Sequence, residues 1–219
     1  GMVKIMQNLP SKTYWNWLNK LGINKRLETD LFESTAGQLK SKNIFVTQSI
    51  EPAVASFGKG FSISPLKLAQ LHAVLANGGS EIIPHVTLNF KAHLKNYSPK
   101  EIFSNEVSKT VLKWMESVVD NGSGKGAKID GYRIGGKTGT SQKAVNGRYT
   151  SKKVCSFVAS FPVNNPKYVV LVVIDEPSKA YAYGSTVAVP IAKEIIESLI
   201  VIEKIPPQIE ENRKIVKKP

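Results

Sequence analysis

Seven consecutive residues, Gly135-Gly136-Lys137-Thr138-Gly139-Thr140-Ser141, bring together a cation, three hydroxyls and three glycines. Lys137 in this run would set a fixed positive charge beside a ligand carboxylate, and the hydroxyls of Thr138 and Thr140 could hydrogen-bond the same group. Gly139 has no side chain, so a ligand could lie against the backbone there. The backbone N–H of Thr140 could then help form an oxyanion hole, which serves acyl transfer because negative charge develops on the carbonyl oxygen. The plainer reading of so short a run is a polar strand end with a glycine bulge.

Other constellations are weaker. His72, His85 and His93 lack a metal-ligand spacing, and the single cysteine, Cys155, leaves no second thiol for zinc or for an internal disulfide. Cys155 sits in the β-like run Val154-Cys155-Ser156-Phe157-Val158 and reads as a small buried hydrophobe. Asp175-Glu176 before Pro177 reads as a solvated turn. The glycines of Gly122-Ser123-Gly124-Lys125-Gly126 do not complete a phosphate loop and read as a flexible connection. No metal or cofactor is implied.

The elements that must position Lys137 follow from periodicity. Tyr132 to Thr140, Lys153 to Phe161 and Tyr168 to Ile174 read as strands, joined by a polar turn at Asn146-Gly147 and by Asn164-Asn165-Pro166. Such short connections predict an antiparallel sheet. Helices are predicted from Ser11 to Gly22, from Ser64-Pro65 to Asn77-Gly78-Gly79, and from about Ser104 to Asn121 with Val107, Val111, Trp114, Met115 and Val118 on one face. A last helix runs from Ser185 to about Ile202, where Pro190 predicts an irregular first turn or a kink. Glu28 to Asn43 reads as a long loop, and the tail 206–219 as charged and frayed.

At 219 residues and 42% hydrophobic, the chain can bury one sizeable core. The formal charge of +13 raises the possibility of a nucleic-acid or anionic-surface binder. Only Arg26, Arg133, Arg148 and Arg213 are arginine, however, and the lysines are scattered, which favours a solvated basic surface and no nucleic acid. No apolar run approaches the roughly 18 residues of a membrane span, and no signal-peptide pattern opens the chain, so these residues alone read as soluble.

Lys-Thr-Gly is also the third element of the set Ser-x-x-Lys, Ser-x-Asn, Lys-Thr-Gly. The run Asp130 to Gln142 resembles the third strand of class B penicillin-binding proteins, the peptidoglycan D,D-transpeptidases of division or elongation. Ser56-Phe57-Gly58-Lys59-Gly60 with Ile63 to Gly79, Ser156 to Pro162, and Tyr183 to Pro190 resemble further family segments in the same order. The resemblance implies an α+β fold, an antiparallel sheet flanked by helices, as a partial penicillin-binding, β-lactamase-like transpeptidase fold. Residues 1–205 would be its C-terminal portion. It assigns Lys137, Thr138, Gly139 and Thr140 to substrate, with Lys137 and Thr140 catalytic.

The nucleophilic Ser-x-x-Lys and the Ser-x-Asn of that family lie upstream of all these segments. Ser56 to Lys59 and Ser64 to Lys67 do fit Ser-x-x-Lys, and Ser41-Lys42-Asn43 fits Ser-x-Asn, but in reversed order, and Ser64 reads as a helix cap. The resemblance therefore implies a transpeptidase portion without its own serine, inactive in isolation. Its partners would be peptidoglycan stem peptides, β-lactams and the upstream half of the domain, and its location the periplasmic face of the membrane, with the anchor outside these residues. The alternative is a non-catalytic binding module or gene fragment. A half-domain would also expose apolar faces that could pair two copies.

Overall fold

The computed structural model describes residues 1–31, 34–88, 90, 98–145, 148–179 and 181–208. They form two compact units, one of Gly1–Val74 with Gly79–Phe103 and one of Leu75–Gly78 with Ser104–Pro219.

The first unit is helical. It contains α1 (Met2–Met6), α2 (Ser11–Lys20), α3 (Lys42–Thr47), α4 (Ile50–Ala55) and most of α5 (Pro65–Ala76). Helix α2 begins one position earlier than its serine suggests, because Pro10 occupies the cap and Ser11 is already helical. Ser41 caps α3, its Oγ accepting from Ile44 N at 3.5 Å, so the predicted loop ends in a helix. The loop itself is tied down at Asp30, whose carboxylate accepts from Val86 N at 2.9 Å and from Thr87 Oγ1 at 2.6 Å. Leu18, Ile23, Phe45 and Ala55 form this unit's small core.

The second unit holds α6 (Asn105–Asn121), a 3-10 turn (Lys125–Ala127), β1 (Gly135–Val145), β2 (Arg148–Phe161), β3 (Tyr168–Asp175), a π-helical turn (Gly184–Ala188) and α7 (Val189–Ile202). The strands form the predicted antiparallel sheet in the order β1-β2-β3. Strand alternation sends Phe157, Ala159 and Phe161 of β2 and Val170 and Val172 of β3 to one face, where Ala188, Val189, Ala192 and Ile196 close over them. Cys155 is fully enclosed on β2. Pro190 lies in the first turn of α7, directly after the π-helical turn, which is the irregular start its missing N–H predicts.

Two element boundaries and one helix face differ from the sequence reading. Tyr132 to Ile134 lie outside β1, the backbone of this stretch being engaged elsewhere: Tyr132 N donates to Ile129 O at 3.1 Å, and Arg133 N to Gln208 Oε1 at 3.0 Å. Past Thr140 the pairing continues through Gln142↔Lys153 and on to Val145↔Arg148; the predicted turn residues Asn146 and Gly147 lie outside the described residues. On α6 the buried positions are Ser108, Leu112, Met115 and Val119, whereas Trp114 is 65% exposed. Small Ser108 and the glycine at 135 let the helix approach the strand, with a Cβ at Gly135 falling 3.2 Å from Met115 Cβ, and this rotates the bulky Trp114 outward.

Asp175 and Glu176, read as a solvated turn, are exposed, and on that surface they also close an ionic clasp across the sheet. Lys143 of β1 sits 2.9 Å from Asp175 and 2.8 Å from Glu176, and Lys152 of β2 sits 2.7 Å from Glu176. The Lys143 hydrogen bond, then that of Lys152, holds the Glu176 carboxyl at about 2 against a usual 4.5, and the same contacts raise the Lys143 ammonium.

Replacing Ile196 by Ala should destabilise the second unit by about 2–4 kcal/mol, while Val201→Ala, at a 76% exposed position, should stay within about 0.5 kcal/mol; urea unfolding checks both. A carboxyl depressed in the folded state stabilises it above the unfolded value and loses that contribution as pH falls through the folded value. Amide protection factors at the β1–β2 end, with the intrinsic pH dependence of exchange divided out, should therefore be unchanged from neutral pH to about 4.5 and fall toward about 2. Glu176→Gln should remove that acid-dependent step.

Candidate active site

β1 pairs with β2 on one side only, so among the described residues its other edge is open to a ligand. The strand brings all four predicted site residues into that register: Lys137↔Val158, Thr138↔Phe157, Gly139↔Ser156 and Thr140↔Cys155. Gly136 is required one step earlier, because a Cβ there would collide with the ring of Phe157 in the core.

Thr138 and Thr140, two residues apart, share a face of the strand. Each hydroxyl is anchored from outside the sheet. Thr138 Oγ1 lies 2.7 Å from Ser123 Oγ, and Thr140 Oγ1 accepts from the backbone N–H of Gly184 at 3.0 Å. A threonine hydroxyl that accepts in this way keeps its own proton to donate, so the anchor leaves Thr140 ready for an anionic oxygen. Gly184 cannot carry a side chain, since a Cβ would lie 2.6 Å from Gly139 O and would also strike Ser156 O. On the opposite face, a Cβ at Gly139 would lie 2.5 Å from Ser156 Oγ.

Lys137 is exposed, and its Nζ donates to the carbonyl of Thr138 at 2.6 Å. No carboxylate among the described residues pairs with it, so its charge is available to a ligand. Beside Gly184, Lys153 Nζ donates to Ala182 O at 3.2 Å and lies 4.5 Å from the centroid of the Tyr183 ring.

Sequence reasoning missed Ser123 and the role of Gly184. The Gly122–Gly126 segment, read as a flexible connection, is a turn and a 3-10 helix, with Gly124 N donating to Val118 O at 3.0 Å. The signal that was present is the serine itself, an isolated hydroxyl among glycines directly after a helix.

The alternative serines are occupied with local structure in the first unit. Ser64 Oγ accepts from Lys67 N at 3.2 Å as the cap of α5, while Lys67 Nζ donates to Gln70 Oε1 at 2.8 Å. Ser56 Oγ donates to Ala53 O at 2.7 Å, and Lys59 follows Gly58, whose φ of 86° ends the helical spacing a serine–lysine pair needs. Ser41 is the cap of α3. Of the histidines, His85 Nδ1 lies 3.1 Å from Ile83 O, and His93 lies outside the described residues.

The strand bearing Lys-Thr-Gly is thus the open-edged first strand of a three-stranded antiparallel sheet, with both of its threonine hydroxyls held from outside that sheet. Residues 1–197 match the family described as penicillin binding protein transpeptidase domain, and the chain belongs to that family. Within it, the chain is of the class B kind. It is 46% identical over 232 residues to a peptidoglycan D,D-transpeptidase FtsI homolog of Mesostigma viride, covering 95% of this chain and 39% of that protein. It is 34% identical over 209 residues to the probable peptidoglycan D,D-transpeptidase PenA of Neisseria flavescens, covering 94% and 51%. The apo transpeptidase domain of Burkholderia pseudomallei penicillin-binding protein 3 superposes with a TM-score of 0.84 at 29% identity, over 96% of this chain and 63% of that one. The ampicillin complex of Mycobacterium tuberculosis penicillin-binding protein 3, at 22% identity, shares the fold with a TM-score of 0.80, over 96% of this chain and 50% of that one. The chain thus spans about half the length, or less, of the relatives it matches.

Gly139→Ala should destabilise the second unit by about 1–3 kcal/mol through overpacking. Adding Ser156→Ala removes the Oγ that the new methyl meets and should recover most of that loss, a coupling readable in a double-mutant cycle of urea unfolding.

Proposed function

We propose that this chain carries the substrate strand and flanking helices of a peptidoglycan D,D-transpeptidase domain, and that the strand serves a serine nucleophile which is not among these 219 residues. The observation that carries this reading is the arrangement on β1, an exposed Lys137 with no carboxylate partner among the described residues, beside two hydroxyls held by Ser123 and Gly184 along an open strand edge. The D,D-transpeptidase names of the FtsI and PenA relatives agree with it.

In this mechanism Lys137 holds the terminal carboxylate of a stem peptide laid along β1, with Thr138 and Thr140 donating hydroxyl hydrogen bonds to it. Gly139 lets the peptide lie close. The serine oxygen attacks the penultimate D-alanine carbonyl, the Thr140 N–H helps stabilise the oxyanion, and the C–N bond breaks to release D-alanine. The amine of a second strand then attacks the acyl-serine, forming the cross-link and freeing the serine. A β-lactam would acylate the same serine, its carboxylate taking the place of the peptide's.

The serine-bearing part would complete the fold at the outer edge of β3, which pairs with no further strand among the described residues, and against the outward face of α7, where Ile191, Ile195 and Ile202 are exposed. Without it, the same faces would favour pairing of two copies. No described helix is long and apolar enough to cross a membrane; attachment at the periplasmic face would come from outside these residues.

Intact-mass measurement with benzylpenicillin tests the assignment. The 219-residue chain alone should gain no adduct, whereas the complete polypeptide should gain one, formed roughly 10- to 100-fold more slowly after Lys137→Ala, the loss of one charge-assisted contact. Unchanged acylation of the Lys137→Ala protein would remove Lys137 from the site. An adduct at Ser56 or Ser64 of the short chain would reinstate one of them as nucleophile, and a complete polypeptide that gains no adduct would favour a non-catalytic module.

A further inference from the structure

The first unit contains a cavity of about 500 Å³ between the end of α2, the turn that follows it, α5 and the segments around Glu81 and Lys100. Five of the side chains lining it are cations, Lys20, Lys25, Arg26, Lys67 and Lys100, against three carboxylates. Lys20 is committed at the periphery, its Nζ donating to Ile102 O at 3.4 Å and lying 4.7 Å from the Trp17 ring centroid.

Lys67 differs from the scattered surface lysines. It is half-buried, and burial pushes its ammonium below the usual lysine range; the Glu81 charge opposes this, and the smaller effect of Lys25 adds to it. Among the described residues its ammonium donates to a neutral acceptor, Gln70 Oε1, at 2.8 Å. Gln70 is 5% exposed, and its own amide donates to Ile82 O at 2.6 Å, so the acceptor that aims Lys67 is itself fixed. The turn makes room as well: Gly22, at φ 70°, would place a Cβ 3.1 Å from Lys67 Nζ. An ammonium has three N–H donors, and no carboxylate among the described residues pairs with this one, which leaves two donors for a ligand. A half-buried cation with unfilled donors, a second cation close by and a cavity in front of it are the makings of an anion site.

We propose that this cavity binds a small dianion bearing phosphate or paired carboxylates, anchored by the Lys67 ammonium with Lys25 as its second contact. The site lies in the first unit and is independent of the Lys137 strand, so it stands or falls separately from the transpeptidase reading.

The test is a ¹H–¹⁵N titration of the full 219-residue chain with inorganic phosphate in one arm and malonate in the other, at constant ionic strength. Saturable shifts centred on Gly22, Lys25 and Lys67 are expected, and the tighter arm names the anion class. Lys67→Gln, which removes the charge but keeps a polar side chain, should weaken binding at least tenfold, and Lys25→Gln, at an exposed position where folding is not at risk, several-fold. Lys125→Gln in the other unit should leave it unchanged. Shifts that do not saturate, that spread over lysines of both units, or that persist at equal affinity in either the Lys67→Gln or the Lys25→Gln protein would overturn the proposal.

Discussion

The backbone N–H of Gly184 donating to Thr140 Oγ1 joins the start of the terminal helix to the strand that bears Lys137. The contact forms only because residue 184 has no side chain, its Cα lying where any Cβ would strike Gly139 O and Ser156 O. Because α7 follows directly through a π-helical turn, burial of Val189, Ala192 and Ile196 against the sheet also positions the donor of Thr140. Core packing and site geometry therefore share one set of atoms. A change that loosens α7 would loosen the site strand before it unfolded the sheet.

The strand is held along its whole length by contacts of different kinds. Gly136 rests on the Phe157 ring, Thr138 meets Ser123, Thr140 meets Gly184, and Lys143 closes the ionic clasp to Asp175 and Glu176. An edge strand presents unpaired backbone groups and tends to be mobile or adhesive. Here one edge is kept open while the strand behind it is fixed, which is the condition for binding an extended peptide with little ordering of the protein itself.

Much of this was legible in the sequence because the strands announce themselves locally. Tyr168 to Ile174 is a continuous apolar run, five of its seven residues β-branched, and Pro190 foretold the irregular start of α7. Lys137 to Thr140 could be placed on a strand because a four-residue motif needs no long-range information. What could not be read was long-range. Ser123 meets Thr138 across fifteen residues and Gly184 meets Thr140 across forty-four, and nothing in either neighbourhood encodes the partner. The buried face of α6 was misjudged because hydrophobicity favoured Trp114, whereas close approach to Gly135 selected Ser108 and Leu112. The ion pairs of the exposed Asp175 and Glu176 could not be read because their lysine partners come from other strands.

The serine that this strand would serve is the point on which the functional reading turns. Fluorescent penicillin labelling of source-cell membranes, followed by immunodetection with an antibody against this chain, addresses it directly. The reading predicts that the antibody and the penicillin mark the same membrane band, well above 24.0 kDa. An antibody-reactive band of 24.0 kDa in the soluble extract, unlabelled by penicillin and with no larger counterpart, would contradict it.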